Sequence, residues 1–227
     1  MTEQEVYKII KPMIEGYTEG LFWDFKKTLS NSAEIIKDIL AFSNSNYNGD
    51  SYIIVGVSES ESQRNSRRLK LSSTDRKRLD TTDNFLYFPG KWELHGLNAT
   101  DIGKMKVFSK ELSEQIEASM LISQPQCEYV PLQIKKKHWL YVIVVKRVPG
   151  VFISKKDLYR KNNNSNPVVK QGVLYVRIAD ITIGNDLNKP TPAIEHVRVW
   201  KRYIDWLSDQ NAISQSMMEG DGDDQTR

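Results

Sequence analysis

Apolar residues recur along this chain with several distinct periods, and each period predicts an element. Val6, Ile9, Ile10 and Met13 fall at near-helical spacing, which predicts an opening helix within residues 1–14, with Pro12 inside it. Leu21, Trp23 and Phe25 then alternate with Phe22, Asp24 and Lys26, the two-residue period of a strand. Asn31 with Glu34 three residues on has the form of a capped helix start. Ile35, Ile36, Ile39, Leu40 and Phe42 carry that helix to about Asn44. Residues 52–57 are continuously apolar, the pattern of a strand buried on both faces. Farther on, Phe108, Leu112, Ile116 and Met120 recur every four residues and predict a second amphipathic helix. Strands are expected at 129–134, 139–146 and 168–178. A closing helix is expected through Ile194, Val197, Trp200, Ile204 and Leu207.

This order predicts an α/β fold of the α+β kind, a mixed sheet with flanking helices. The expected organisation is a helix in 1–14 and a main domain over 15–190, interrupted by a polar insertion at about 59–94. A helix at 191–208 and an acidic, disordered tail over 209–227 follow. Inside the insertion, residues 75–79 suggest a helical turn. Residues 85–97, broken by Pro89 and Gly90, suggest a hairpin-like segment.

Composition narrows the class. A chain of 227 residues buries roughly 70% of its unfolded surface, enough for one sizeable core. Five Trp, ten Tyr and seven Phe exclude disorder throughout. One cysteine, Cys127, excludes a disulfide framework and a multi-cysteine zinc site, and reads as a structural thiol. The N-terminus has no apolar signal core, and the longest apolar run, 139–145, is far short of a membrane span. A cytoplasmic protein with no membrane partner is expected.

The formal net charge of +3 conceals an uneven distribution. Residues 64–78 hold Arg64, Arg67, Arg68, Lys70, Arg76, Lys77 and Arg78 against Asp75 alone. Between 135 and 161 the cations are Lys135, Lys136, Lys137, Lys146, Arg147, Lys155, Lys156, Arg160 and Lys161, against Asp157 alone. Blocks of this kind supply phosphate contacts or form solvated loops.

Several common sites are absent from the sequence. It has no Walker-type phosphate loop and no Gly-x-Gly-x-x-Gly run, so no nucleotide motif is found. His95, His138 and His196 stand far apart, in no metal-ligand spacing. One constellation remains, Glu19-Gly20-Leu21-Phe22-Trp23-Asp24-Phe25-Lys26. By strand parity Asp24 and Lys26 share a face, and Gly20 lets the chain fold Glu19 toward Asp24. Two carboxylates and a lysine are groups that hold a divalent cation and polarise a phosphate. Taken alone, an Asp–Lys pair on a strand reads as an exposed ion pair.

These residues also lie in a longer pattern. Glu19 and Asp24-Phe25-Lys26, the helix ending Ala41-Phe42-Ser43-Asn44-Ser45, and the strand running to Val55-Gly56-Val57 resemble the Schlafen AlbA-like domain. His95-Gly96-Leu97, Ser123-Gln124-Pro125 and Tyr175-Val176-Arg177-Ile178 with Thr182 extend the resemblance in the family's order. It implies nucleic-acid binding and, in some relatives, metal-dependent endoribonuclease activity carried by three acids. Glu19 and Asp24 match two of the acids and would hold Mg²⁺ or Mn²⁺. Glu59 is the nearest residue to the third, which in the family follows the Gly-Val strand. Lys26 would stabilise charge on the phosphate.

The expected function is therefore binding of RNA, or of tRNA-like structures, with endoribonuclease chemistry at Glu19, Asp24, Lys26 and Glu59. The phosphate-contact candidates are Lys26, Lys135, Lys136, Lys137, Arg147, Lys155, Lys156, Arg160 and Arg177. The alternative is a non-catalytic DNA-binding or regulatory protein that meets a protein partner through its last helix and tail. Dimerisation to complete a groove is left open.

Overall fold

In a computed structural model the chain is described at residues 1–15, 19–29, 31–59, 92–94, 96–135, 138–161, 165–178, 181–185 and 193–220. The first helix, α1 (Glu3–Glu15), begins with a reciprocal cap: the Glu5 N–H donates to Thr2 Oγ1 and the Thr2 N–H to Glu5 Oε2. Strand β1 (Trp23–Lys26) leads to α2 (Ser32–Ser43), whose cap Asn31 accepts from the Ala33 N–H at 3.0 Å. Then come β2 (Ser51–Val55), β3 (Val57–Glu59) and β4 (Trp92–Leu94). Helix α3 (Ala99–Ser119), β5 (Cys127–Lys135), β6 (His138–Val145), β7 (Leu174–Ile178), β8 (Ile181–Asn185) and α4 (Ala193–Gly220) complete the chain.

The main sheet has the order β1-β2-β6-β5, with β1 parallel to β2 and the other pairs antiparallel. Alternation along each strand divides its side chains between two helical layers. Phe25, Tyr52, Ile54, Leu140, Val142 and Val144 pack with Val6, Ile10 and Ile14 of α1. Ile53, Val55, Tyr141, Ile143 and Val145 pack with Ile36, Ile39 and Leu40 of α2 and Leu112 of α3. The result is a three-layer α/β/α core. Asp24 pairs in register with Ile53, and Lys26 with Val55, so both charged residues of β1 face α2.

The observed elements differ from the expected ones at four places. The run 52–57 is split at Gly56, whose φ of +106° turns the chain out of β2 and into β3. A Cβ at Gly56 would stand 3.0 Å from Leu140 Cδ2. Helix α3 begins at Ala99, well before Phe108, because Asn98 and Asp101 form a capping box. The strand expected over 168–178 is regular only in β7, and Val169 before it makes a single bridge to Leu158. Helix α4 continues to Gly220, through residues placed in the tail. Its extension carries no proline and no glycine before Gly220, and several good helix formers, among them Gln210, Ala212, Met217 and Met218.

Most of the insertion, including residues 60–91 with the expected helical turn, lies outside the described residues, as does the tail at 221–227. Of the expected hairpin, Trp92–Leu94 is β4, paired with β3. Helix α4 is fixed by Val199 and Tyr203 against Val151, Ile153, Leu174 and Val176, while Val197, Trp200, Ile204 and Leu207 are exposed. Among the described residues no helix is long and apolar enough to cross a membrane.

Candidate functional site

The α2 face of β1 carries the charged residues that the sequence singles out. Asp24 is buried, at 4% exposure, so its pairing with Lys26 is not the exposed ion pair expected of an Asp–Lys pair on a strand. The Lys26 ammonium lies 2.5 Å from Asp24 Oδ2 and 3.1 Å from Asp38 Oδ2, bridging β1 to α2. On the other side, Arg177 Nη2 lies 3.2 Å from Asp24 Oδ1. The same guanidinium donates from Nε to Gly20 O and from Nη2 to Trp23 O, and sits 4.8 Å over the Phe42 ring. Glu19 folds back as Gly20 allows, and its Oε1 accepts from the Phe25 N–H at 3.0 Å.

Burial and mutual charge set the protonation of this group. Burial, with the Asp24 charge adding to it, pushes the Glu19 carboxyl up to about 7, although the Phe25 N–H works the other way. Asp38 is also raised, again chiefly by burial, with Lys26 opposing. Burial disfavours the Lys26 ammonium, but the Asp38 and Asp24 carboxylates outweigh it and hold its pKa above the ordinary lysine value. Three acids and two cations thus form one network, with Glu19 poised near neutrality.

A hard divalent cation needs several oxygens carrying excess negative charge. Here Asp24 already engages both Lys26 and Arg177, and Lys26 fills the space between Asp24 and Asp38. Among the described residues no group of three or more His, Cys, Asp or Glu is placed to hold a metal. In this arrangement the donors do not fit Mg²⁺ or Mn²⁺. Glu59 ends β3, opposite Trp92, and only its backbone is described.

The expected phosphate contacts fall into separate groups. Arg177 is 4% exposed and ties β7 to β1, so it is a positioning residue rather than a surface contact. Lys155 and Lys156 are exposed and make no ion pair among the described residues. Arg160 is exposed, but its guanidinium meets Glu34 at 2.6 Å. Arg147 is half-buried, donating from Nη1 to Ser43 O and Ser45 O. Lys135 ends β5 with only its backbone described, and Lys136 and Lys137 lie outside the described residues. Cys127 is a half-buried thiol, pushed up to about 12 by its partial withdrawal from water.

Compared with known protein families, residues 19–183 match the model described as Schlafen, AlbA_2. The chain belongs to that family. No curated protein matches it. One solved structure is similar: the N-terminal domain of a RecG-related protein from Nitrosomonas europaea, whose name refers to an ATP-dependent DNA helicase. The two share 14% identity over 73% of this chain and 92% of that one, with a TM-score of 0.42.

The match places the site at the start of the Schlafen AlbA_2 domain and α4 beyond its end. One residue of this site and one buried amide at the end of α2 escaped the sequence reading. Asp38 lies on the same helical face as Ile35, Ile39 and Phe42, and a carboxylate within a buried stripe is a signal of a partner across the interface. Asn44 belongs to the Ala-Phe-Ser-Asn segment, and its role shows only in three dimensions. It is 1% exposed, accepts from the Phe152 N–H, and donates to Phe152 O and Tyr175 O. One amide thereby joins the end of α2 to two distant segments.

Proposed function

We propose that this protein binds nucleic acid through its phosphates, with RNA or tRNA-like structures as the ligand. The observation that carries the reading is the connection between β6 and β7, within the Schlafen AlbA_2 stretch, where Lys155 and Lys156 stand exposed and form no ion pair among the described residues. Free surface ammonium groups release counterions on meeting a phosphate backbone and gain affinity without discriminating sequence. The name of the RecG-related neighbour concerns that protein, and the fold likeness adds nothing to this reading.

A second reading, endoribonuclease activity, is favoured by Glu19. A carboxyl poised near pH 7 beside a second carboxylate is suited to proton transfer at a phosphodiester. Asp24 would hold the charge pattern that raises Glu19, and Lys26 would meet charge developing on the phosphate as it leaves Asp38. The test incubates total tRNA with the wild type, Glu19→Gln and Asp24→Asn, each with Mn²⁺ or EDTA. Retention of tRNA by all three, with cleavage only by the wild type, supports both readings. Retention without cleavage in any arm leaves binding alone. With no retention of tRNA, RNA or DNA at low salt, binding fails, and the exposed face of α4 becomes the surface to probe with protein partners.

A further inference from the structure

The carbonyls of Ser43, the last residue of α2, and of Ser45, just past its cap, point out of the helix end, and two arginines converge on them. Arg147, just after β6, donates from Nη1 to Ser43 O at 3.2 Å and Ser45 O at 3.3 Å. Arg202 approaches from α4, on the face that also turns Val199 and Trp206 inward, and donates from Nη1 to Ser45 O at 2.8 Å. A cation at a helix C-terminus is an ordinary cap. Capping does not account for the rest of Arg202. Its Nε and Nη2 are buried and have no hydrogen-bond partner among the described residues. Those two atoms form the side of the guanidinium that grips a phosphate or carboxylate with two parallel bonds.

The electrostatics agree with the geometry. Neither Arg147 nor Arg202 forms an ion pair among the described residues. Burial lowers the pKa of both, and in Arg202, brought to about 10, the nearby Arg147 charge lowers it further. Two neighbouring guanidinium groups withdrawn from water and lacking an anion are costly, and removing that cost needs a negative charge between them. A groove of about 570 Å³ opens at this point, within the size range of small-ligand sites. Its lining also includes Arg198 and Lys201, so four cations face two carboxylates, Asp205 and Asp209. Trp206 supplies an aromatic wall, the kind of surface on which a base stacks.

We propose that this groove binds a phosphate group of a nucleic-acid strand, held by the Nε–Nη2 edge of Arg202 with Arg147 alongside. The proposal rests on the nucleic-acid reading and adds a second point of contact to it. Residues 198–209 lie beyond the matched stretch 19–183, so α4 contributes this site from outside the family domain. From Asp38 in the acidic network to Ser43 and Ser45 is five to seven residues, roughly 8–10 Å along the helix axis. The acidic network itself is buried, with Asp24 and Arg177 each 4% exposed, so the groove is a point of contact separate from it. Because the two nitrogens are covered in this state, groove side chains move aside as the phosphate enters, and the Trp206 environment changes with them.

The test measures anisotropy of a labelled single-stranded RNA, with and without a 5′-phosphate, on wild type, Arg202→Met and Arg202→Lys. In parallel, thermal unfolding is followed in pyrophosphate and in chloride at matched ionic strength. Expected are a loss of about tenfold in RNA affinity for Arg202→Met, about threefold for Arg202→Lys, and a pyrophosphate-induced rise in Tm confined to the wild type and, more weakly, Arg202→Lys. If Arg202→Met does not fold, Arg202→Lys carries the comparison, because it keeps the charge on Ser45 O and lacks the paired donors. An affinity difference between RNAs with and without the 5′-phosphate marks the strand end as the source; equal affinity marks an internal phosphate. RNA affinity and the pyrophosphate shift both unchanged in the variants would overturn the groove while leaving nucleic-acid binding intact. A pyrophosphate shift that depends on Arg202, in a protein that binds no RNA or DNA, would support a phosphate site and overturn the proposed function.

Discussion

Glu19 stands in an environment far from the one its residue type predicts. Its native carboxyl titrates at about 7, against 4.5 for an unperturbed glutamate, so the folded protein holds that proton more tightly than the unfolded chain. The stability contributed by the neutral form is complete below about pH 4.5 and is lost as the pH rises through about 7. Glu19→Gln keeps an oxygen for the Phe25 N–H and never ionises. It should match the wild type in denaturant midpoint near pH 4.5 and exceed it at about pH 9. Equal midpoints across that range would show that Glu19 is not perturbed. Asn44 gives a different kind of prediction. Asn44→Ala strands the Phe152 N–H and two carbonyls in the interior, and should cost roughly 2–4 kcal/mol. A midpoint shift worth less than about 1 kcal/mol would mean that water or backbone movement replaces the amide.

Elements were legible where one period ran cleanly, as in α2, whose cap and stripe are both local signals. They were not legible where a boundary depends on a distant contact. Gly56 ends β2 because the sheet must give way to the β3–β4 pair and Leu140 presses close, and no local pattern in a wholly apolar run reveals it. The acidic site was half legible for the same reason. Asp24 and Lys26 share a face by parity alone, but Asp38 and Arg177 join them only through the packing of α2 and β7. That packing is testable as a tie between elements. Arg177→Met leaves Asp24 buried with one partner fewer, and should destabilise by about 3–5 kcal/mol. Adding Asp24→Asn should recover part of the loss, so that the two changes together cost less than their sum. Strict additivity would mean that the β1–β7 tie rests on the backbone contacts of Arg177 with Gly20 and Trp23.

For the whole molecule, the alternating strands and striped helices were enough to indicate a mixed sheet between helical layers, because burying both faces of β2 and β6 leaves few other solutions. Charge was the harder quantity to place. One basic block of the sequence resolves into cations with different work: Arg160 is matched by Glu34, Arg147 caps α2, and Lys155 and Lys156 face solvent, while Arg177, farther along the chain, is structural. Net charge carries none of this, since what matters is which cations have no partner. The direct test is RNA affinity measured by anisotropy between about 50 and 200 mM salt for wild type, Lys155→Ala and Lys156→Ala. Binding that weakens steeply with salt, with each substitution reducing the slope of log K against log salt by about 1, is the predicted result. No binding of RNA or DNA at the lowest salt, or a slope that neither substitution changes, would contradict it.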